Sequence, residues 1–398
     1  MATKFATGLA KGENTVEVAK QAVKEAKSKL GAGKVDLVIC YCSTRYNYQE
    51  AVKAVREATA GAPLIGCSTG GEFTEEKVEK GSIAVGLISS DSMKFFPAMA
   101  EGLKENELAT IKKLTQQVPN KVEGYPYLFG ILLVDGLAGK GEEATVITSN
   151  LLGVEVTLAG GAAADDLKFK QTFVFYNDKV VTNAAVLCLG ASKSPVVTSV
   201  MHGHVPLSEP LKITKAKGGV LYEVNGRPAW EVWKEKAAED ARTVGINVEG
   251  LKDATSIGSF LLRYELGIPI EDGEYKVRIP LSKNDDGSLN FACTIPQGIE
   301  ARIMKSIKED QIASAREAMV LAEKNAGGNK IAGALIFDCV CRGLILGTDF
   351  FKAVEQFKKI LGNVPLLGWE TYGEICMRAG EFSGFHNTTS VILLLPAK

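Results

Sequence analysis

Leu64-Ile65-Gly66-Cys67-Ser68-Thr69-Gly70-Gly71-Glu72-Phe73 returns twice in altered form along the chain. Its counterparts are Leu158-Ala159-Gly160-Gly161-Ala162-Ala163-Ala164-Asp165-Asp166-Leu167 and Leu366-Leu367-Gly368-Trp369-Glu370-Thr371-Tyr372-Gly373-Glu374-Ile375. The three align without a gap. In each, two apolar residues close a strand, glycine lets the chain turn, and an acidic residue follows six positions later. Pro63 and Pro365 precede the first and third, and the pairs Cys40/Cys42 and Cys339/Cys341 lie upstream of them at similar distances. Internal duplication is the simplest account.

Outward from these loops the rhythm is that of α/β layers. Strand-like runs at Val35 to Cys40, Ala62 to Ile65 and Ser82 to Ile88 enclose a helical pattern at Tyr48 to Ala58. The same rhythm recurs as Leu128 to Val134 with Thr145 to Leu152, and as Ile331 to Phe337 with Phe350 to Leu361. Between the second and third copies the chain changes character. Pro206, Pro210 and Asn225-Gly226-Arg227-Pro228 lead into an amphipathic Ala229 to Ala241, then Ile268 to Pro296 reads as antiparallel strands turning at Asn284 to Gly287. The expected fold is α/β, with mixed sheets and flanking helices, as two related domains of repeated strand-helix-strand modules. The first domain is residues 1–235, holding two modules, and the second is residues 236–398. Met1 to Ala6 is expected to run straight into a polar, helix-forming stretch.

A length of 398 residues suits two or three domains and is ample to bury a pocket. A formal net charge of −1 gives no support to nucleic acid or an anionic membrane as partner. The apolar runs are too short to span a bilayer and the start lacks the apolar core of a signal peptide, so the expected location is the cytoplasm, with the eight cysteines as reduced thiols.

Each repeated loop follows the carboxyl end of a strand, where open α/β sheets place ligands. Cys67, Ser68, Thr69 and Glu72 offer a thiol, hydroxyls and a carboxylate around the close-approach pair Gly70-Gly71; Trp369, Glu370, Thr371, Tyr372 and Glu374 set an aromatic wall beside polar groups. That mixture suits a zwitterion or polar metabolite. The plainer reading is that the loops only turn the chain, with Glu72 and Glu374 held by backbone N–H groups. Arg342, just past a buried strand, has a planar fork suited to a ligand carboxylate, or else pairs with Glu370 or Glu374. Asn387 either caps a turn or reaches the pocket.

Other chemistries find less support. There is no Gly-x-Gly-x-x-Gly and no Gly-x-x-x-x-Gly-Lys-Ser/Thr loop, so nucleotide binding is set aside. The Cys-x-Cys pairs have the wrong spacing for a structural zinc site. His202, His204 and His386 are the only histidines, and one of them, His202 or His386, as a haem ligand is weighed against a structural role. No catalytic motif appears, and the enzyme alternative rests on Cys67 or Cys339 as an activated nucleophile.

On Gly66 to Phe73, Gly160-Gly161, His202-Gly203, Tyr222 to Ala229, Phe337-Asp338-Cys339 with Arg342-Gly343, Gly368 to Ile375 and Phe385 to Thr388, the chain resembles the FIST family (F-box and intracellular signal transduction). The resemblance implies an N-terminal and a C-terminal FIST domain, and a sensory protein that binds small ligands such as amino acids. It also implies joined output domains, a pattern from which this chain departs, so the expected output is through a separate signalling partner. Some members resemble haem-based nitric oxide sensors, which is the alternative binding expectation.

Overall fold

The computed structural model describes residues 2–270, 273–377 and 383–398. Its organising unit is a module that occurs three times. The first copy orders Lys4–Ala10, Ile83–Ser89, Leu37–Ser43 and Leu64–Thr69 side by side, the last two parallel and the others antiparallel. The second orders Met93–Glu101, Ala184–Ser192, Tyr127–Val134 and Thr157–Ala162 in the same way. The third orders Val197–His202, Thr389–Pro396, Ile331–Cys339 and Leu366–Thr371. Two helices accompany each: Thr15–Leu30 and Tyr48–Ala58, then Glu107–Thr115 and Gly141–Leu152, then Lys308–Ala326 and Phe350–Leu361.

The repeated loops hold the modules together. After its loop each module sends a short strand into a neighbour's sheet. Glu72–Thr74 pairs with Leu366–Thr371, Glu374–Met377 pairs with Thr157–Ala162, and Val174–Tyr176 pairs with Leu64–Thr69. First joins third, third joins second, second joins first, and the ring closes. The inner faces of the three sheets share one apolar core that includes Tyr41, Leu133, Phe337, Cys67 and Trp369, while the helices cover the outer faces.

The gapless alignment of the loops is the structural one. Cys40 pairs with Gly66, Leu132 with Gly160 and Ile336 with Gly368, so the three glycines are equivalent. All three lack room for a side chain: a Cβ on Gly66 would lie 1.9 Å from the Cys40 carbonyl oxygen, one on Gly160 1.8 Å from that of Leu132, and one on Gly368 2.2 Å from the buried Phe73 ring. The cysteine pairs, by contrast, are not counterparts. Cys40 corresponds to Ile336, Cys339 to Ser43, and Cys341 belongs to the short helix Val340–Leu346.

Residues 204–306 form a separate nine-stranded antiparallel unit carrying the helices Ala229–Thr243 and Ala254–Arg263 around its own core, in which Trp233 donates from Nε1 to the Tyr264 carbonyl at 2.9 Å. This unit falls inside the third module, between the strand Val197–His202 and the helix Lys308–Ala326. A boundary between residues 235 and 236 therefore cuts through the helix Ala229–Thr243, and the third module packs with the first two. The chain start also differs from expectation. Lys4–Ala10 is a strand whose Phe5 and Leu9 are buried in the central core, and the helix begins only at Thr15, capped by the Asn14 side chain. Among the described residues, no helix is long and apolar enough to cross a membrane.

Candidate functional site

The three repeated loops meet through their main chains. Gly70 N donates to Glu370 O and Glu370 N to Gly71 O, each at 2.9 Å; Ala164 N donates to Ser68 O at 2.9 Å; Tyr372 N donates to Ala162 O at 3.0 Å. At this junction the first and third loops carry the same device. Thr69 Oγ1 donates to one oxygen of Glu72, whose other oxygen accepts from Ser82 N at 3.2 Å and from the Ser82 hydroxyl. Thr371 Oγ1 donates to Glu374 at 2.6 Å, and Glu374 accepts from Thr389 N at 3.1 Å and from its hydroxyl at 2.9 Å. Each Glu thus ties its loop to the start of the module's return strand. Burial outweighs the hydroxyl donors and pushes both carboxyls up to about 8. In the second module Asp166 does not take this place. It turns to Ser43 and Thr44, and Asp135 ties Thr172 to Asn183 N instead.

The remaining candidates separate. Cys67 and Trp369 lie in the central core, with the Trp369 ring 5.2 Å from that of Tyr41. Ser68 accepts from Phe173 N at 2.9 Å. Glu370 is buried between Gly71 and Gly343, where a Cβ on either glycine would strike its carboxyl. Burial raises it to about 7 against the opposing charge of Lys80, 3.1 Å away. Tyr372 donates to Asp165 at 2.5 Å and stacks on Phe169. Asn387 faces the inserted unit, accepting from Ile279 N at 3.4 Å.

Arg342 pairs with neither Glu370 nor Glu374. It is fully buried: its Nε meets Asp338 at 2.9 Å, Nη1 meets Gln311 Oε1 at 2.5 Å and Ser314 Oγ at 2.9 Å, and Nη2 meets Gln311 O at 3.0 Å. Four of its five N–H donors are engaged within the protein and the side chain is fully buried, so the two-pronged fork is not presented to a ligand carboxylate. The thiols of Cys67 and Cys339 are buried and pushed well above the usual range by burial, the reverse of an activated nucleophile. Cys341 alone of the eight is not fully buried. Alkylation of the native protein under limiting iodoacetamide, read by mass spectrometry, is expected to label Cys341 first; faster labelling of Cys67 or Cys339 would restore the nucleophile reading.

The three histidines, weighed in the sequence between a haem ligand and a structural role, gather in one place. A cavity of about 320 Å³ lies in the seam between the third module and the inserted unit, lined by Val200, Met201, His202, His204, Ile270 and Val277 among others, with Lys276, His386 and Thr389. The chain leaves the third module at Gly203, where a Cβ would lie 2.6 Å from the main chain of Gln311. His202 is committed on both sides: its Nδ1 accepts from His204 N at 3.2 Å and its Nε2 donates to Tyr275 O at 2.9 Å. Burial, with His204 alongside, holds its imidazole down at about 4. His386 donates from Nε2 to Cys376 O at 2.9 Å. His204 Nδ1 accepts from the Gln311 side-chain amide at 3.4 Å, while its Nε2 has no hydrogen-bond partner and stands 3.5 Å from Glu265. His202 has no free lone pair to offer a haem iron, so its contacts do not fit an axial ligand. The one sequence signal near this site was Glu265, a carboxylate between the apolar residues Tyr264 and Leu266 in a strand-like stretch.

A broader groove of about 940 Å³, lined by Lys27, Gly61, Asp91, Lys94 and Tyr125 among others, opens elsewhere on the first two modules. It lacks the convergent buried polar groups of the seam cavity.

Comparison with known proteins bears out the family resemblance. The FIST N domain model matches residues 36–227 and the FIST C domain model residues 229–377. An uncharacterized protein of Methanocaldococcus jannaschii is 25% identical over 394 residues, covering 92% of this chain and 74% of that protein. An uncharacterized protein of Mycobacterium tuberculosis is 23% identical over 419 residues, covering 98% of this chain and 99% of its own length. Among solved structures, a cyanuric acid hydrolase aligns over 100% of both chains at 7% identity with a TM-score of 0.35, a likeness that carries nothing about chemistry. With its two domain models following one another from residue 36 to residue 377, the chain belongs to the FIST family.

Proposed function

We propose that this protein is a small-molecule-binding sensory protein of the cytoplasm, whose ligand occupies the seam cavity and whose state is read by a separate signalling partner. One observation carries the reading: the cavity lies between two separately cored units and brings buried polar groups together against an apolar wall. A ligand there touches both units, so its binding energy acts on their relative arrangement, the requirement for a sensor without its own catalytic output. FIST domains are associated with sensing in signal transduction, which supports the same reading. The size and apolar wall suit a metabolite of amino-acid dimensions. The cavity supports this class of ligand better than a haem, given that both ring nitrogens of His202 are engaged by main-chain groups.

The test is a thermal-shift screen of amino acids, small carboxylates and their amides, run on the native protein and on Met201→Trp. Met201 is a half-buried wall residue at the edge of the third module's core, and an indole there is expected to fill the cavity. A ligand at 100 times its dissociation constant adds about 2.7 kcal/mol of stability. A compound class that raises the melting temperature of the native protein by several degrees and leaves Met201→Trp unmoved is the expected result. Equal shifts in both proteins would move the site elsewhere.

A further inference from the structure

At Cys339-Val340-Cys341 the chain turns a corner. Cys339 ends the strand Ile331–Cys339 in an extended conformation, φ −71° and ψ 135°, and the helix Val340–Leu346 starts at the next residue. The corner folds residue 341 back towards residue 339, and the Cys341 thiol meets that of Cys339 in a side-chain hydrogen bond. Both flanks are fixed. Asp338 and Arg342 hold each other at 2.9 Å, Ser390 holds the other oxygen of Asp338, and Gln311 and Ser314 hold the guanidinium. The two sulfurs differ in access: Cys339 is buried, while Cys341 alone of the eight cysteines is not. Cys40 and Cys42 share the spacing without the corner. Both are wholly buried inside the strand Leu37–Ser43, where two steps span about 6.6 Å, near the upper limit for a disulfide. Cys42 turns its thiol to the Ser43 carbonyl instead, at 3.6 Å.

We infer that Cys339 and Cys341 form a reversible dithiol–disulfide pair, a modification site through which the protein responds to hydroperoxides independently of the seam cavity. The more accessible sulfur acts first. The Cys341 thiolate attacks the hydroperoxide, the O–O bond breaks, and Cys341 becomes a sulfenic acid while an alcohol or water leaves. The Cys339 sulfur then attacks the Cys341 sulfur: the S–O bond breaks, the S–S bond forms, and hydroxide takes the Cys339 proton and leaves as water. Two thiols give up two electrons and two protons, and the hydroperoxide takes them up. Burial holds the Cys339 thiol well above the usual range, so it keeps its proton until that step, which suits the second role and not the first. Gly343, two residues beyond Cys341, packs against the buried Glu370 carboxyl, so the disulfide closes beside the joint between the first and third modules.

The experiment treats the native full chain with hydrogen peroxide, unfolds it in denaturant with iodoacetamide, digests it with trypsin and reads the peptides by mass spectrometry. Cleavage after Lys330 and Arg342 releases Ile331–Arg342, which holds Cys339 and Cys341 and no other cysteine; Val35–Arg45 holds Cys40 and Cys42 and serves as the control. Ile331–Arg342 is expected to lose its alkylation, to appear two hydrogens lighter, and to regain both alkyl groups when dithiothreitol precedes the iodoacetamide. Val35–Arg45 is expected to stay alkylated on both thiols. In Cys339→Ser, Cys341 is expected to remain as a sulfenic acid that dimedone traps; the native measurement decides by itself if that variant does not fold. Cys341 carried on to sulfinic acid with Cys339 still alkylated would overturn the inference, as would disulfide formation to the same extent in Val35–Arg45 or a modification that dithiothreitol does not reverse. None of these outcomes touches the reading of the seam cavity, which the screen with Met201→Trp tests separately.

Discussion

Arg342→Ala is expected to lower stability by about 3–5 kcal/mol, measured by chemical denaturation, because it strands Asp338 as a buried charge. Asp338 is wholly buried in the strand Ile331–Cys339, and its other carboxyl oxygen is held by Ser390 Oγ at 2.6 Å. Burial already raises Asp338 and the guanidinium opposes that rise, so removing the guanidinium leaves the desolvation uncompensated. The same side chain organises Gln311 and Ser314, which adds unpaired buried groups to the loss. Asp338→Leu combined with Arg342→Met is expected to recover most of the stability, since replacing both partners of a buried pair with apolar residues is often neutral or better. A loss below about 1 kcal/mol for Arg342→Ala would mean that the guanidinium is solvated and available to a ligand, as the sequence alone suggested.

The second large effect is on pH dependence. Glu72 and Glu374 stand near 8 in the folded protein against 4.5 in an open chain, with burial as the main cause for both. In the interval between those values the folded state holds protons that the unfolded chain has released. The stabilisation they contribute is fully present below about 4.5 and is lost as pH rises towards about 8. The slope is about 1.4 kcal/mol per pH unit for each carboxyl while both are in that interval. Glu370, raised to about 7, acts in the same direction over a narrower range. Asp165 and Asp240, whose carboxyls are lowered, act in the opposite direction and only below their ordinary value of 3.8. Urea midpoints are thus expected to fall steadily from about pH 5 to about pH 8, and Glu72→Gln with Glu374→Gln to flatten the curve. A midpoint that is constant or rises over this range in the native protein would show the two carboxyls to be ionised in place.

Much of the fold was readable because the turns are constrained by packing. Gly66 and Gly160 sit where a side chain would collide with the neighbouring strand's carbonyl, so the repeated glycine recurs with the module it serves. The ring closure was not readable, since the crossing strands Glu72–Thr74 and Val174–Tyr176 are three residues each and leave no periodicity. Lys4–Ala10 was missed for a related reason. Its Lys, Thr and Gly residues dilute the apolar signal, and Gly8 is there to admit the helix Thr15–Leu30, where a Cβ would lie 2.1 Å from Ala22 O.

The candidate site was less legible than the fold. Glu72 and Glu374 stood out because they recur, but they recur as tethers of the return strands. The true partner of Arg342 was in view, four residues earlier at Asp338, a spacing that the helix Val340–Leu346 turns into contact. What could not be read is the convergence of His204, Glu265 and Gln311. They come from a strand beside the linker, a strand of the inserted unit and a helix of the third module, and only the tertiary fold brings them together.

The central claim is most directly tested by a crystal structure of the protein with the strongest hit of the thermal-shift screen. The account predicts density for the compound in the seam cavity, against Val200, Met201 and Val277. Density at the loop junction beside Glu370 and Lys80, with the seam cavity filled only by solvent, would contradict it.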